Sequence, residues 1–325
     1  MSARPSLAVS LGDPAGIGPE IVVQAARRAA VRRACRLTVF GDESVLGTVG
    51  FDGIRRGSVP TAIEAVKPVT SLGCRGSLPS PGKRTGEAAF RYLEAAARAT
   101  LAGRFDALVT APLSKYWLDR AGHHYDGHTG YLSELAGREA TMMLAGRRLR
   151  VVLVTTHVAL SEVPGRLTAA LIRNRARTAA VFLRERLGVA RPRLAVAALN
   201  PHAGEGGLFG DEERRVIRPA VRSLRKAGFD VSGPLPADTL FAAAASGDYD
   251  AVVCMYHDQA LIPLKLLEFG RSVNISMGLP FLRTSPDHGT AFDLAGTGNA
   301  SADSMTAAIV AAAEMARHAQ PRRKS

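Results

Sequence analysis

Cysteine is scarce, with three in 325 residues, Cys35, Cys74 and Cys254, and no CxxC spacing. This excludes a disulfide framework and a cysteine-based zinc site, and it suits a reducing compartment. All three read as small buried hydrophobes. No run approaches the ~18 uncharged apolar residues that would span a bilayer. The start, Met1 to Pro5, shows no basic stretch followed by an apolar one, so no export signal is read there. The expectation is a cytoplasmic protein without a membrane partner. Aromatic residues make up only 6% and nowhere interleave with basic ones, so stacking platforms for nucleic acid are missing. Acidic residues are outnumbered, 29 against 42 Lys and Arg, for a net charge of +13. The arginines are nevertheless dispersed, as at Arg173, Arg175, Arg177, Arg184 and Arg186 on one expected helix. Only the tail, Pro321 to Ser325, is a compact basic cluster. Such a field draws in anionic substrates and dinucleotides rather than marking a nucleic-acid surface.

What is present is ample apolar material, 46% of the chain, enough for one large or two ordinary domains. Short β-rich runs recur at Leu7–Ser10, Leu37–Phe40, Ala107–Thr110, Val151–Thr155, Leu194–Leu199, Ala251–Met255 and Val273–Ser276. Most are continuously apolar, the pattern of strands covered on both faces. Helical stretches fall between them, at Gly86–Leu101, Leu167–Leu187 and Glu212–Lys226, each followed shortly by a glycine stop, and the last helix is expected at Asp303–His318. Alternating strands and helices predict an α/β/α sandwich on a largely parallel sheet. A hairpin turning near Gly146-Arg147 would make that sheet mixed.

Three of the eight histidines share one setting. His157, His202 and His257 each follow an apolar strand-like run, and sites in open α/β sheets collect just beyond the carboxyl ends of strands. Three imidazoles delivered there could converge on one divalent cation and leave positions open for substrate oxygens. Their separations match no short metal motif. Imidazole favours zinc, cobalt or nickel over magnesium, although substrate oxygens blur that preference. Asp258, beside His257, and Asp238 could each orient a ligand histidine or take a proton. Asp238 also suits the N-cap of a helix over Thr239–Ala245.

Two segments are rich in glycine. Gly12-Asp-Pro-Ala-Gly16-Ile-Gly18-Pro-Glu20 follows the first strand and opens a helix. Its third fingerprint glycine is absent, with Ile21 in that place, and Pro14 and Pro19 remove amides that would cradle a pyrophosphate. It therefore reads as a structural turn with Pro19 at a helix start. The second, His288 to Ala300, is polar and loop-like and precedes the last helix.

Taken together these blocks resemble the 4-hydroxythreonine-4-phosphate dehydrogenase family of pyridoxal phosphate biosynthesis, over essentially the whole chain. The resemblance is carried by Gly12–Glu20, Thr110-Ala-Pro-Leu-Ser-Lys115, Gly127-His-Thr129, Asn200-Pro-His-Ala-Gly-Glu-Gly206, Gly233-Pro-Leu-Pro-Ala-Asp-Thr239, Tyr256-His-Asp-Gln-Ala260 and Gly278-Leu-Pro-Phe-Leu-Arg-Thr-Ser285. It implies two α/β/α sandwich domains of the isocitrate/isopropylmalate dehydrogenase type, with a mixed, mostly parallel, non-Rossmann sheet. A cofactor-side domain would comprise 1–130 and 285–325, and a substrate, metal and dimerisation domain 131–284. His288–Ala300 looks like the adenosine-binding loop of those dehydrogenases, which points to His288, Gly289, Asp293 and Asn299 for NAD or NADP. The resemblance also assigns His157, His202 and His257 to one divalent metal (zinc, cobalt or magnesium), and His128, Thr129, Lys265, Asn274 and Arg283 to the substrate. It implies a homodimer whose active sites are completed across the interface.

The implied reaction is metal-assisted, NAD(P)-dependent oxidation of the secondary alcohol of 4-(phosphooxy)-L-threonine. The alcohol proton would go to Asp258, Asp238 or a water, and the product, 2-amino-3-oxo-4-(phosphooxy)butanoate, would then decarboxylate to 3-amino-2-oxopropyl phosphate. One departure broadens the choice of substrate: the family often carries an acidic residue after Gly-His-Thr, where this chain has Gly130. Relatives act on 4-phosphothreonate, 4-phosphoerythronate or an aromatic cis-dihydrodiol. Outside the dehydrogenases, a metal-dependent aldolase or hydrolase would keep the histidines without binding NAD.

Overall fold

The computed structural model describes residues 4–50, 61–65, 72, 74 and 76–318. The chain divides into two compact units, one formed by Met1–Ala140 with Leu279–Arg317 and the other centred on Thr141–Gly278.

The first unit runs β1 (Ser6–Ser10), α1 (Gly18–Arg27), α2 (Ala29–Ala34), β2 (Arg36–Gly41), α3 (Glu43–Thr48), β3 (Thr61–Ala65), α4 (Lys83–Leu101), β4 (Ala107–Thr110), α5 (Lys115–Arg120) and α6 (His128–Ala136). The second opens with the expected hairpin of β5 (Thr141–Ala145) and β6 (Arg150–Leu153), closed by the Gly146 amide on the Leu149 carbonyl. It continues through α7 (Val163–Arg166), α8 (Ala169–Leu187), β7 (Arg193–Ala197), α9 (Arg218–Lys226), β8 (Asp230–Leu235), α10 (Ala237–Ala245), β9 (Ala251–Cys254), α11 (His257–Glu268) and β10 (Val273–Met277). The chain then returns to the first unit with β11 (Leu282–Pro286) and α12 (Asp303–His318).

In the first unit the strand order is β3-β2-β1-β4-β11, parallel throughout. In the second it is β10-β5-β6-β9-β7-β8, antiparallel at β10–β5 and β5–β6 and parallel beyond. The fold is thus a mixed, mostly parallel α/β architecture. The continuous apolar runs are explained by their place in it: Leu7, Ala8 and Val9 of β1 have no exposed surface, because helices cover both faces of a parallel sheet. On α4, Ala88, Ala89, Tyr92, Leu93, Ala96 and Ala97 form the buried stripe, and its many alanines let the helix lie close to the sheet. A second core, around Leu153, Ala195, Val252 and Leu264, fills the other unit.

Three strands, β3, β8 and β11, were not read from the sequence. Cys35 and Cys254 are buried as expected, whereas Cys74 is only half-buried. The basic tail from Pro321 lies outside the described residues. Among those described, no helix is long and apolar enough to cross a membrane.

The glycine-rich turn after β1 is filled by its own backbone. A Cβ on Gly12 would lie 2.2 Å from the Pro112 carbonyl oxygen, and one on Gly16 2.7 Å from that of Thr290. The Gly16 amide donates to the Asp13 carbonyl and the Ile17 amide to Thr290. Pro19 stands at the start of α1. Amides spent internally cannot hold a pyrophosphate, so the turn is structural, as its prolines suggested.

Candidate active site

In the second unit, β6, β9 and β7 are adjacent and parallel, so their carboxyl ends lie side by side. His157 follows β6, His257 is the first residue of α11 after β9, and His202 lies in the turn after β7. All three imidazoles thus follow strands, as expected from the runs before them, and the three strands are neighbours. The His157 and His257 rings are 5.6 Å apart, centroid to centroid, and tilted by 44°. Two imidazoles on one ion, each about 2.1 Å from it through a ring nitrogen, would have centroids roughly 5–6 Å apart. The pair therefore fits a shared cation. Asp258 Oδ1 lies 2.7 Å from His257 Nδ1. With Nδ1–H donating to that carboxylate, Nε2 presents its lone pair outward, as a metal-ligating histidine requires.

His202 does not close on this pair: among the described residues, no three His, Cys, Asp or Glu side chains are grouped to hold an ion. It sits in a left-handed turn, with φ of 50° at His202, 54° at Ala203, 81° at Gly204, 41° at Glu205 and 69° at Gly206.

Three side chains brace these strand ends. The Thr155 hydroxyl donates to the Met255 carbonyl at 2.7 Å. Gln259 Oε1 accepts from the Met255 amide at 2.7 Å, and its Nε2 donates to the Ala198 carbonyl at 2.6 Å. The Glu213 carboxylate takes the Leu199 and Asn200 amides, both at 2.8 Å. None of these three was singled out by sequence. Gln259 lies within the quoted Tyr256–Ala260 block, while Glu213 looked like an ordinary acidic residue in a helix.

Asp238 is not the N-cap that was expected. That helix begins two residues earlier, capped by Pro236, and Asp238 lies within its first turn. Its Oδ1 accepts from the Thr239 amide at 3.0 Å, and the residue is exposed. The helix starts early because Pro236 fixes the backbone entering it. Lys265 is half-buried on α11. Asn274, on β10, is half-buried with its Oδ1 shut from solvent and unpartnered among the described residues.

In the first unit, Arg283 is 2% exposed on β11 and donates to the Thr110 hydroxyl of neighbouring β4 at 2.7 Å. Burial lowers its pKa to about 10, which leaves it a cation at neutral pH. His128 opens α6 after Gly127, whose φ is 118°. Burial, then the Arg283 charge, hold its pKa well below the ordinary histidine range, with Lys115 adding to the effect. A hydrogen bond with the Ala111 backbone opposes them. Nε2 is buried without a partner, so a neutral His128 can receive a hydrogen bond there. Thr129 follows it on the first turn of α6. A Cβ on Gly130 would lie 2.4 Å from Asp126 Oδ1, so this chain has a carboxylate beside the position where the family often carries one.

The His288–Ala300 loop lies against the start of α1, through the Ile17 amide on Thr290 and the Gly296 amide on Glu20 Oε2 at 3.2 Å. His288 Nε2 is buried and unpartnered, whereas Gly289, Asp293 and Asn299 are exposed.

A family model described as "Pyridoxal phosphate biosynthetic protein PdxA" matches residues 21–312. The chain belongs to this family. A 4-hydroxythreonine-4-phosphate dehydrogenase of Geobacter metallireducens is 48% identical, with 97% of each chain covered. The PdxA fold is matched over 97% of this chain and 99% of the other in the crystal structure of 4-hydroxythreonine-4-phosphate dehydrogenase from Klebsiella pneumoniae, at a TM-score of 0.85 and 41% identity. A terephthalate 1,2-cis-dihydrodiol dehydrogenase from Burkholderia xenovorans LB400 is also similar, at a TM-score of 0.65 and 34% identity over 93% of this chain and 95% of that one.

Proposed function

We propose that this PdxA-family chain is a cytoplasmic, NAD(P)-dependent 4-hydroxythreonine-4-phosphate dehydrogenase, assisted by one divalent metal. It would oxidise 4-(phosphooxy)-L-threonine to 2-amino-3-oxo-4-(phosphooxy)butanoate, which decarboxylates to 3-amino-2-oxopropyl phosphate. The observation that carries the reading is the delivery of His157, His202 and His257 to the carboxyl ends of three adjacent parallel strands, in a chain nearly half identical to proteins of that name.

His157, His202 and His257 would hold the cation, with His257 oriented by Asp258. Once bound, the cation would acidify the substrate's secondary alcohol and the nicotinamide would take its hydride. Lys265 and the buried Arg283 suit the substrate's phosphate and carboxylate, Arg283 through its planar donor fork. Neutral His128 accepts a hydrogen bond from the substrate through Nε2, Thr129 offers a hydroxyl, and Asn274 offers its free Oδ1. Since Asp258 is engaged with His257, Asp238 is the better candidate to receive the hydroxyl proton. His288, Gly289, Asp293 and Asn299 would contact the dinucleotide.

A homodimer completes the reading. Ile262, Leu266 and Phe269 form an exposed stripe on and just after α11, at 66%, 84% and 82% exposure. Three large apolar side chains at helical spacing suit a second copy of the chain.

The test is reduced-nicotinamide absorbance on adding 4-(phosphooxy)-L-threonine to protein with NAD or NADP, before and after chelation and with zinc, cobalt or magnesium restored. Turnover lost on chelation and recovered with a cation is expected, together with loss in His157→Ala. Activity indifferent to both would overturn the metal-assisted reading. Running 4-phosphothreonate, 4-phosphoerythronate and an aromatic cis-dihydrodiol in parallel separates the family's substrates. Absence of reduction with every one of them would favour a non-redox metalloenzyme.

A further inference from the structure

The turn carrying His202 is held in a costly conformation by one carboxylate, and we infer that Glu213 is the positioning residue for this histidine. The inference rests on the metal reading above.

His202, Ala203 and Glu205 adopt the left-handed region in succession, at φ of 50°, 54° and 41°. Non-glycine residues rarely do so, and each does so at a cost that surrounding contacts must offset. The contacts come from Glu213, which is 2% exposed. Its Oε1 accepts the Leu199 and Asn200 amides at 2.8 Å each, and its Oε2 accepts Asn200 Nδ2 at 3.0 Å. The turn then folds back over the same carboxylate, so that a Cβ on Gly204 would lie 2.8 Å from Oε2. Asn200 Nδ2 also donates to Glu212 Oε2 at 2.7 Å.

Glu213 is brought to this point by a single π turn, Glu213–Ile217, ahead of α9. The wider turn is an uncommon device inside helices and recurs at functional sites. A buried carboxylate receiving three donors forms charge-assisted bonds that are short and directional. A loop with no task could relax to ordinary backbone angles and bury an apolar side chain in place of the acid. Here the carboxylate holds the base of the turn, two and three residues ahead of His202, at the strand end next to the His157–His257 pair.

The experiment titrates cobalt into the metal-free protein and follows the visible absorption of the bound ion, beside thermal melting. The variants are Glu213→Gln, Gly204→Ala and, as references, His157→Ala and His202→Ala. Gln keeps the acceptor for both amides but turns a donor towards Asn200 Nδ2. Gly204→Ala pushes the turn off the carboxylate from the other side. Removing a group that orients a ligand typically costs 10–100-fold in metal affinity, so a roughly tenfold or greater loss is expected in Glu213→Gln, with melting close to that of the parent. If Glu213→Gln melts early, Gly204→Ala reads the same contact and is expected to show the same loss. Wild-type cobalt affinity in both, with loss in the two histidine variants, overturns the role of Glu213 and leaves the metal reading standing. Wild-type affinity in the histidine variants as well overturns the metal reading, and this inference with it.

Discussion

Replacing Asp13 by Asn should stabilise the first unit at neutral pH and do nothing in acid. Asp13 has no exposed surface. Its Oδ1 accepts from the Ala15 amide at 3.0 Å, while Oδ2 is buried without a hydrogen-bond partner. Burial raises its pKa from 3.8 to about 6, against the lowering effect of the Ala15 amide and of the Thr85 hydroxyl. Each tenfold change in proton affinity is worth about 1.4 kcal/mol, so holding the carboxylate ionised costs the fold about 3 kcal/mol above its folded pKa. Between about 6 and 3.8 the folded protein binds a proton that the unfolded chain does not, so stability rises as pH falls through this window. Asn mimics the protonated acid and keeps the acceptor for Ala15. Its advantage over the parent should therefore be near 3 kcal/mol at pH 8, shrink through pH 5, and vanish below pH 4. Urea unfolding followed by the fluorescence of Trp117 measures this, because Trp117 is the chain's single tryptophan and lies on α5 of the same unit. A difference that does not vary with pH, or a destabilised variant at pH 8, would refute the reasoning.

Two other outcomes follow from contacts described above. Gln259→Leu strips partners from the Met255 amide and the Ala198 carbonyl, whose residues are 0% and 1% exposed. At about 1–3 kcal/mol for each of the two buried polar groups left unmade, the second unit should lose about 2–6 kcal/mol by urea unfolding followed with circular dichroism. A loss under about 1 kcal/mol would show that the bridge carries little. If the proposed homodimer is built on the exposed α11 stripe, Leu266→Glu should halve the mass that sedimentation equilibrium finds for the parent; a parent of monomer mass, or a variant with unchanged mass, would refute that contact.

Much of the architecture was legible because parallel strands advertise themselves. β4 was read with its observed bounds, and the last helix likewise, since a buried apolar run or a regular stripe leaves little choice. The strands that escaped did so for separable reasons. β8 ends one order of strands and, among the described residues, pairs only with β7, so Pro234 can sit where no ladder amide is needed, and a segment of Gly and Pro reads as a turn. β11 is wholly buried yet contains Arg283, Thr284 and Ser285. Arg283 donates to the Thr110 hydroxyl through one terminal nitrogen, and the Thr284 hydroxyl donates to the Ala308 carbonyl. Burial of that kind depends on partners far along the chain and leaves no hydropathy signal. The same holds in the site. Histidines at strand ends could be found from the runs preceding them, whereas Glu213 and Gln259 matter only through backbone groups that the fold brings to them. The left-handed turn at His202 was invisible for a related reason, since Ala and Glu carry no preference for such angles and a single His is a weak signal for them.

The route of the chain through its two units has a consequence for synthesis. The strands of the second unit all come from one uninterrupted stretch, Thr141–Gly278, so they can all pair once that stretch has left the ribosome. The first must wait, because β4, paired with β1 on one side, lacks its other neighbour until β11 emerges about 170 residues later. During that interval one edge of an apolar strand keeps its amides and carbonyls open to mispairing.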